Sequence, residues 1–219
     1  MNPSELIALL MLATAISFTP GPNTALSAAM GANRGWRSAM RFVISVPVGW
    51  GLLFSLCAAG LGAAVVGIPW MRAGVQWGGS AYLVWLAWRL WQARQMGGAE
   101  AGSTLNVGFW QGVSLQFVNI KAWMMALTVV GGWVAGHDNA GLRFVQVFPL
   151  MLAFAFASNM TYASLGSVLR HWLAGPVLDG QASWRRLMWF NRTMACLLVL
   201  TAFYMTSVSI PLSRAGVTP

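Results

Sequence analysis

Two polar interruptions in otherwise apolar runs hold the residues able to do chemistry. The first is Thr19-Pro20-Gly21-Pro22-Asn23. Two prolines flanking a glycine cannot continue a regular helix, and these follow about 13 helix-compatible residues, about 20 Å of rise. If that run crosses a bilayer, the break lies inside the hydrocarbon. Proline at 20 and 22 removes two donors and frees carbonyls one turn earlier, near Ile16 and Phe18. Such backbone is tolerated at this depth where it is buried in protein or lines a wet cavity. The chain after the break, Asn23-Thr24-Ala25-Leu26, starts a new half-helix whose free N–H groups and positive dipole end attract a carboxylate. A proline kink that only shapes packing is the alternative, although a Pro-Gly-Pro break exceeds what a kink requires.

The second interruption is Lys121, about 11 residues or roughly 16 Å beyond Trp110. A cation at that depth costs at least about 3 kcal/mol on insertion scales, so it needs a partner. The four acidic residues, Glu5, Glu100, Asp138 and Asp179, all fall in termini or loops. Asn119, carbonyls freed by the first break, or the carboxylate of a bound substrate remain. A structural lysine bonded to carbonyls stays open beside the functional reading. Asn159 with Ser158, Thr161 and Tyr162, and Gln111 with Gln116, either line a path or bond between helices. Asn191 and Arg192 read as headgroup contacts at a membrane edge.

The elements that must position these residues follow from composition. With 58% apolar and 8% charged residues and a mean hydropathy of +0.64, the solvent for this chain is lipid. Six stretches are long enough to span: 6 to 30, 42 to 67, 72 to 92, 109 to 134, 144 to 168 and 188 to 211. The substantial connections are Gly31 to Arg41, Gln92 to Asn106 and Arg170 to Arg186. If these face one side, they and their flanks hold Arg34, Arg37, Arg41, Arg89, Arg94, Arg170, Arg185, Arg186 and Arg192, against Arg72, Arg143 and Arg214 opposite. That bias puts both termini outside the cytoplasm. Trp36, Trp70, Trp91, Trp110, Trp133, Trp172 and Trp184 fall near predicted helix ends, whereas Trp50, Trp85 and Trp123 are expected to pack between helices. The start, Met1-Asn2-Pro3-Ser4-Glu5, lacks the positive region of a secretory signal, so the run from Leu6 is expected to be retained as a span.

Several classes are disfavoured. The thirteen basic residues are dispersed between apolar runs, unlike a nucleic-acid face. Cys57 and Cys196 have no CxxC or metal-ligand spacing and read as packing residues; no metal or cofactor is expected. An embedded enzyme requires an intramembrane His, Asp, Glu or Cys constellation, but His137 and His171 lie at helix ends, so no catalytic residues are assigned. Gly49, Gly51, Gly60, Gly62, Gly78, Gly108 and Gly112 read as close helix contacts.

The halves echo each other at an offset of about 99 residues, each interrupting the first span of a three-helix set. Three is odd, so the second set enters from the opposite face. This predicts an all-α polytopic fold, one membrane domain over 1–219, with 1–100 and 101–219 as inverted three-helix repeats of the kind that place a transporter site near the midplane.

Thr19-Pro-Gly-Pro-Asn23, Gly31-x-x-x-Gly35, Gly79-Ser-Ala-Tyr82-Leu-Val-Trp-Leu-Ala-Trp-Arg89, Phe109-x-x-Gly112 and Asn119-x-Lys121 resemble the LysE/RhtB family of amino-acid exporters. The resemblance covers most of the chain. It implies a bacterial inner-membrane exporter of amino acids or derivatives driven by protons, with Pro20, Gly21, Pro22, Asn23, Asn119 and Lys121 as the site. Thr24 and Asn159 join them by position. Gln116 to Lys121 and Tyr82 to Arg89 look closer to the cysteine and O-acetylserine exporter branch. Ile120 stands where the family usually has proline, which predicts a milder second interruption. Ala195 and Ala202 stand where relatives often carry glycine, leaving the packing of the sixth helix open. The expected mechanism is a carrier holding a zwitterion between Lys121 and the Asn23 half-helix; the alternative is a non-transporting membrane assembly partner. Homodimer formation is left open.

Overall fold

The computed structural model describes residues 1–62, 67–93, 107–178 and 181–207. Helix α1 (Pro3–Phe18) begins with a capping box: the Glu5 amide donates to Asn2 Oδ1 (2.8 Å) and the Asn2 amide donates to Glu5 Oε2 (2.9 Å). This satisfies two orphan donors of the first turn. The break at 19–21 ends it, and α2 (Pro22–Arg34) restarts with proline at its first position. Only Gly35, at φ +81°, separates α2 from α3 (Trp36–Ala58). The expected connection from Gly31 to Arg41 is therefore helix on both sides of a one-residue corner, which glycine permits because its backbone enters the left-handed region without a Cβ clash.

Helix α4 (Pro69–Gln92) precedes α5 (Phe109–Val118) and α6 (Ile120–Val129), which runs into a π turn, Val130–Val134. Then come α7 (Ala140–Val168), the short α8 (Arg170–Ala174), and α9 (Arg185–Ser207). A two-residue antiparallel ladder, β1 (Val177–Leu178) with β2 (Gln181–Ala182), is the departure from an all-helical fold among the described residues. Three helices, α3, α7 and α9, are long and apolar enough to cross a membrane, or up to five spans if each bent pair, α1 with α2 and α5 with α6, counts as one. Helix α4 has the length, but Arg72, Gln76 and Arg89 dilute its apolar character.

The second break is sharper than the first, 69° against 54°, which corrects the expectation drawn from Ile120. Proline is not needed because side chains do its work. Asn119 takes an extended conformation and its Oδ1 accepts the Lys121 amide (3.1 Å), while the Trp123 indole donates to the Phe117 carbonyl (2.8 Å). Both backbone groups are thus satisfied outside the helical ladder.

Helix α2 lies in the centre. Every residue in it except Asn23 and Arg34 is buried, whereas α1 buries Leu9 and Ala13. Helices α2 and α7 cross in close contact: a Cβ added to Gly31 would lie 2.0 Å from the Ala163 carbonyl oxygen, and one on Gly166 would lie 2.1 Å from that of Ala28. Of the glycines expected at such contacts, Gly49, Gly51, Gly62 and Gly112 are there, but Gly60 and Gly78 have nothing within 4 Å, and Gly108 instead caps α5. Trp50 and Trp123 are buried as expected, but Trp85 is 42% exposed, stacked on Tyr82 beneath Arg89. It lies on the outer face of α4, where an indole is well solvated by lipid. Ala195 and Ala202 are buried, and Ser80 Oγ donates to the Ala202 carbonyl (3.1 Å), so alanine sustains close packing of α9 on α4.

Asn191 is fully buried, not a headgroup contact. Asn33 Nδ2 donates to its Oδ1 (2.7 Å), while its own Nδ2 donates to Asn33 Oδ1 (3.0 Å) and the Ala93 carbonyl (3.0 Å). This ties the end of α2, the end of α4 and the start of α9 at one end of the bundle. At the other end Arg143 pairs with Glu5 (3.3 Å) and the Trp133 indole donates to the Glu5 carbonyl (2.9 Å). Because a stranded buried amide costs about 1–3 kcal/mol whereas replacing both partners is milder, Asn33→Leu and Asn191→Leu are each expected to lower the melting temperature more than half as far as the double variant does. Strictly additive losses would show that the amides act separately.

Candidate functional site

The two breaks meet. Pro20 removes the donor for Ile16 and Pro22 that for Phe18; the Tyr162 hydroxyl takes the Phe18 carbonyl instead (2.9 Å). The next carbonyl, Thr19, accepts the Lys121 ammonium (2.9 Å), which is the partner that the intramembrane cation required. Gly21 makes room for this: a Cβ there would lie 3.3 Å from Lys121 Nζ. The restarted helix is capped from within, since the Gly21 amide donates to Thr24 Oγ1 (2.9 Å) and that hydroxyl donates to the Gly21 carbonyl (3.1 Å).

A cavity lies against this junction. It is lined by Ile16, Ser17, Thr19, Gly21, Pro22, Asn23 and Thr24 from the first break, Asn119 and Lys121 from the second, Trp50 from α3, and Ser158 and Asn159 from α7. About 60 Å³ is open to the centres of water molecules, several times the ~10–15 Å³ that one water requires. An amide pair closes one wall: Asn23 Nδ2 donates to Gln116 Oε1 (2.9 Å) and Gln116 Nε2 donates to Asn23 Oδ1 (3.1 Å). On the α7 side Ser27 Oγ donates to Asn159 Oδ1 (2.8 Å), with Asn159 Nδ2 bonded to the Ala155 carbonyl (2.8 Å). A second, apolar cavity of about 510 Å³ shares Thr19, Gly21, Pro22 and Lys121 with the first and also touches Pro20.

A family model described as LysE type translocator matches residues 14–208. The chain belongs to the LysE family. Similar curated proteins are named cysteine/O-acetylserine efflux protein, from Klebsiella pneumoniae, Escherichia coli and Salmonella typhimurium. Each is 28% identical over 170 residues, 78% of this chain and 86% of the relative. No solved structure matches. This LysE-family protein is thus a bacterial inner-membrane, multi-pass transporter that moves small molecules across the bilayer, and it is not an enzyme.

Of the residues singled out from sequence, Gly21, Pro22, Asn23, Thr24, Asn119, Lys121 and Asn159 line the smaller cavity, and Pro20 faces the larger one. Gln116 holds Asn23, Tyr162 holds the Phe18 carbonyl, Gln111 accepts the Gly108 amide (2.8 Å), and Thr161 bonds within its own helix. Ser17, Ser27 and Trp50 were not anticipated. Ser27 had a signal, because it lies one turn after Asn23 and so shares its face. Gln116→Leu leaves the Asn23 amide without its partner and frees it to rotate in the cavity. Transport by this variant is expected to fall about tenfold at normal protein level; wild-type flux in vesicles would show that Asn23 does not depend on its clamp.

Proposed function

We propose that this protein exports small amino acids or their derivatives from the cytoplasm, binding the zwitterion at the junction of the two breaks. The observation that carries the reading is the Lys121 ammonium on the Thr19 carbonyl beside a cavity lined from both broken helices. The substrate carboxylate takes Lys121 and the free N–H groups that open α2. Its ammonium has neutral oxygen acceptors in the cavity wall, on Asn119, Ser158 and Asn159. The names carried by the relatives favour cysteine and O-acetylserine as the first substrates to test.

The reading includes six spans arranged as two inverted repeats, 1–100 and 101–219, in one membrane domain. Supporting this, the first broken helix packs on α7 and the second on α3, while α4 packs on α9 and α3 on α7, the exchange that a two-fold relation produces. Both termini lie outside the cytoplasm, because Arg34, Arg37, Arg170, Arg185 and Arg186 belong to the end tied by Asn33 and Asn191. Arg94 lies outside the described residues. Protons are the coupling ion, with Lys121 as the group that carries them.

The test is counterflow in proteoliposomes with a panel of labelled amino acids. Small zwitterions, cysteine and O-acetylserine among them, are expected to exchange above empty-liposome controls. Exchange of no amino acid by a correctly folded preparation would overturn the proposal, and exchange confined to large cationic amino acids would overturn the substrate class.

A further inference from the structure

Away from the two breaks, the seam between α4 and α9 carries a second arrangement with the chemistry of a ligand site. An apolar groove of about 400 Å³ follows this seam, lined by Val84, Trp88 and Trp91 on one side and Cys196, Val199 and Leu200 on the other. At one end lies Arg192, one turn before Cys196 on the same face of α9. Its guanidinium carbon sits 5.0 Å from the Trp91 ring centre and 5.6 Å from that of Trp189. Its Nε is buried with no hydrogen-bond partner. Among the described residues the one ion pair is Arg143 with Glu5, so no carboxylate there neutralises Arg192.

The level of this cation follows from its neighbour. Asn191 bonds the Ala93 carbonyl just past the end of α4, so Arg192 lies at the end of that helix, where Trp91 and Trp189 suit the headgroup zone. From Arg192 to Leu200 the groove runs about 12 Å toward the bilayer centre. A cation at the headgroup level continuing into an apolar channel of that direction matches the two parts of a phospholipid. The guanidinium, close to two indole rings, has terminal N–H groups whose planar fork suits the oxygens of a phosphate.

We propose that the α4–α9 seam binds one anionic glycerophospholipid of the surrounding membrane, its phosphate on Arg192 and one acyl chain in the groove. An anionic headgroup is favoured over a zwitterionic one because no carboxylate among the described residues balances Arg192, so a lipid of net negative charge neutralises it and a net-neutral one does not.

Native mass spectrometry of the delipidated full chain tests this, titrating phosphatidylglycerol and phosphatidylcholine of matched acyl chains. One phosphatidylglycerol per chain is expected, held at least about tenfold more tightly than phosphatidylcholine. Arg192→Gln is expected to erase that preference, and Val199→Trp, which fills the groove from its exposed side without touching the guanidinium, to weaken phosphatidylglycerol about tenfold. Equal affinity for the two lipids in the wild type, or undiminished phosphatidylglycerol binding by folded Val199→Trp, overturns the proposal.

Discussion

Lys121→Met is expected to lower transport at least about 100-fold while the protein accumulates in the membrane at its normal level. The side chain keeps its length and apolar stem and loses its ammonium, so the partner of the substrate carboxylate disappears together with the group assigned to carry protons. Losing a charge-assisted contact of this kind costs about 3 kcal/mol, which is about two decades in affinity. Stability is not expected to suffer. The Thr19 carbonyl left behind faces a cavity that admits water, and the cost of holding a cation in the hydrocarbon, at least about 3 kcal/mol, is removed. Loss of transport with an equal or higher melting temperature is thus the signature. Proton-dependent export at the wild-type rate in vesicles would remove Lys121 from the mechanism.

Gly166→Val is expected to cause the largest loss of stability. Its first added carbon would lie 2.1 Å from the Ala28 carbonyl oxygen and 2.9 Å from the Ala32 amide nitrogen, both backbone atoms of a helix held on every side. Overpacking of an ordinary core costs about 1–3 kcal/mol; here a rigid helix must move, so the variant is expected to exceed that and yield little monodisperse protein. Gly31→Val, from the facing helix, should behave alike. Gly78→Ala is the control, since Gly78 has open space around it and a helical glycine replaced by alanine typically gains about 0.5–1 kcal/mol. Wild-type melting of Gly166→Val would mean that the two helices do not cross at this distance.

The first break and the lysine were legible because their signals are intrinsic to residue type. Proline lacks a donor in any environment, and a cation in hydrocarbon always needs a partner. The identity of that partner was narrowed to freed carbonyls, Asn119 or substrate, and the Thr19 carbonyl is the one engaged. What escaped depended on faces. Gly78 and Gly79 are neighbours in sequence, yet Gly79 would meet the Val118 carbonyl at 1.9 Å and Gly78 meets nothing. In helices apolar on all sides, composition does not say which face is turned inward. The same blindness placed Trp85 in the interior and Asn191 at a headgroup. The sharpness of the bend at Ile120 escaped for another reason: Asn119 and Trp123 supply by hydrogen bonding what proline supplies by exclusion, and their residue types are compatible with an unbroken helix.

The unequal burial of the two arms of the first broken helix sets which mouth of the carrier opens more cheaply. Swinging α1 outward strips the contacts of Leu9 and Ala13 and one ion pair at Glu5. Displacing α2 means prising apart a rod buried at all but Asn23 and Arg34, its crossing with α7 and a doubly bonded pair of amides. With the termini outside the cytoplasm, as proposed above, a landscape tilted in this way is expected to leave the empty protein resting with its cytoplasmic door shut, so that loading from inside becomes the uphill half of the cycle.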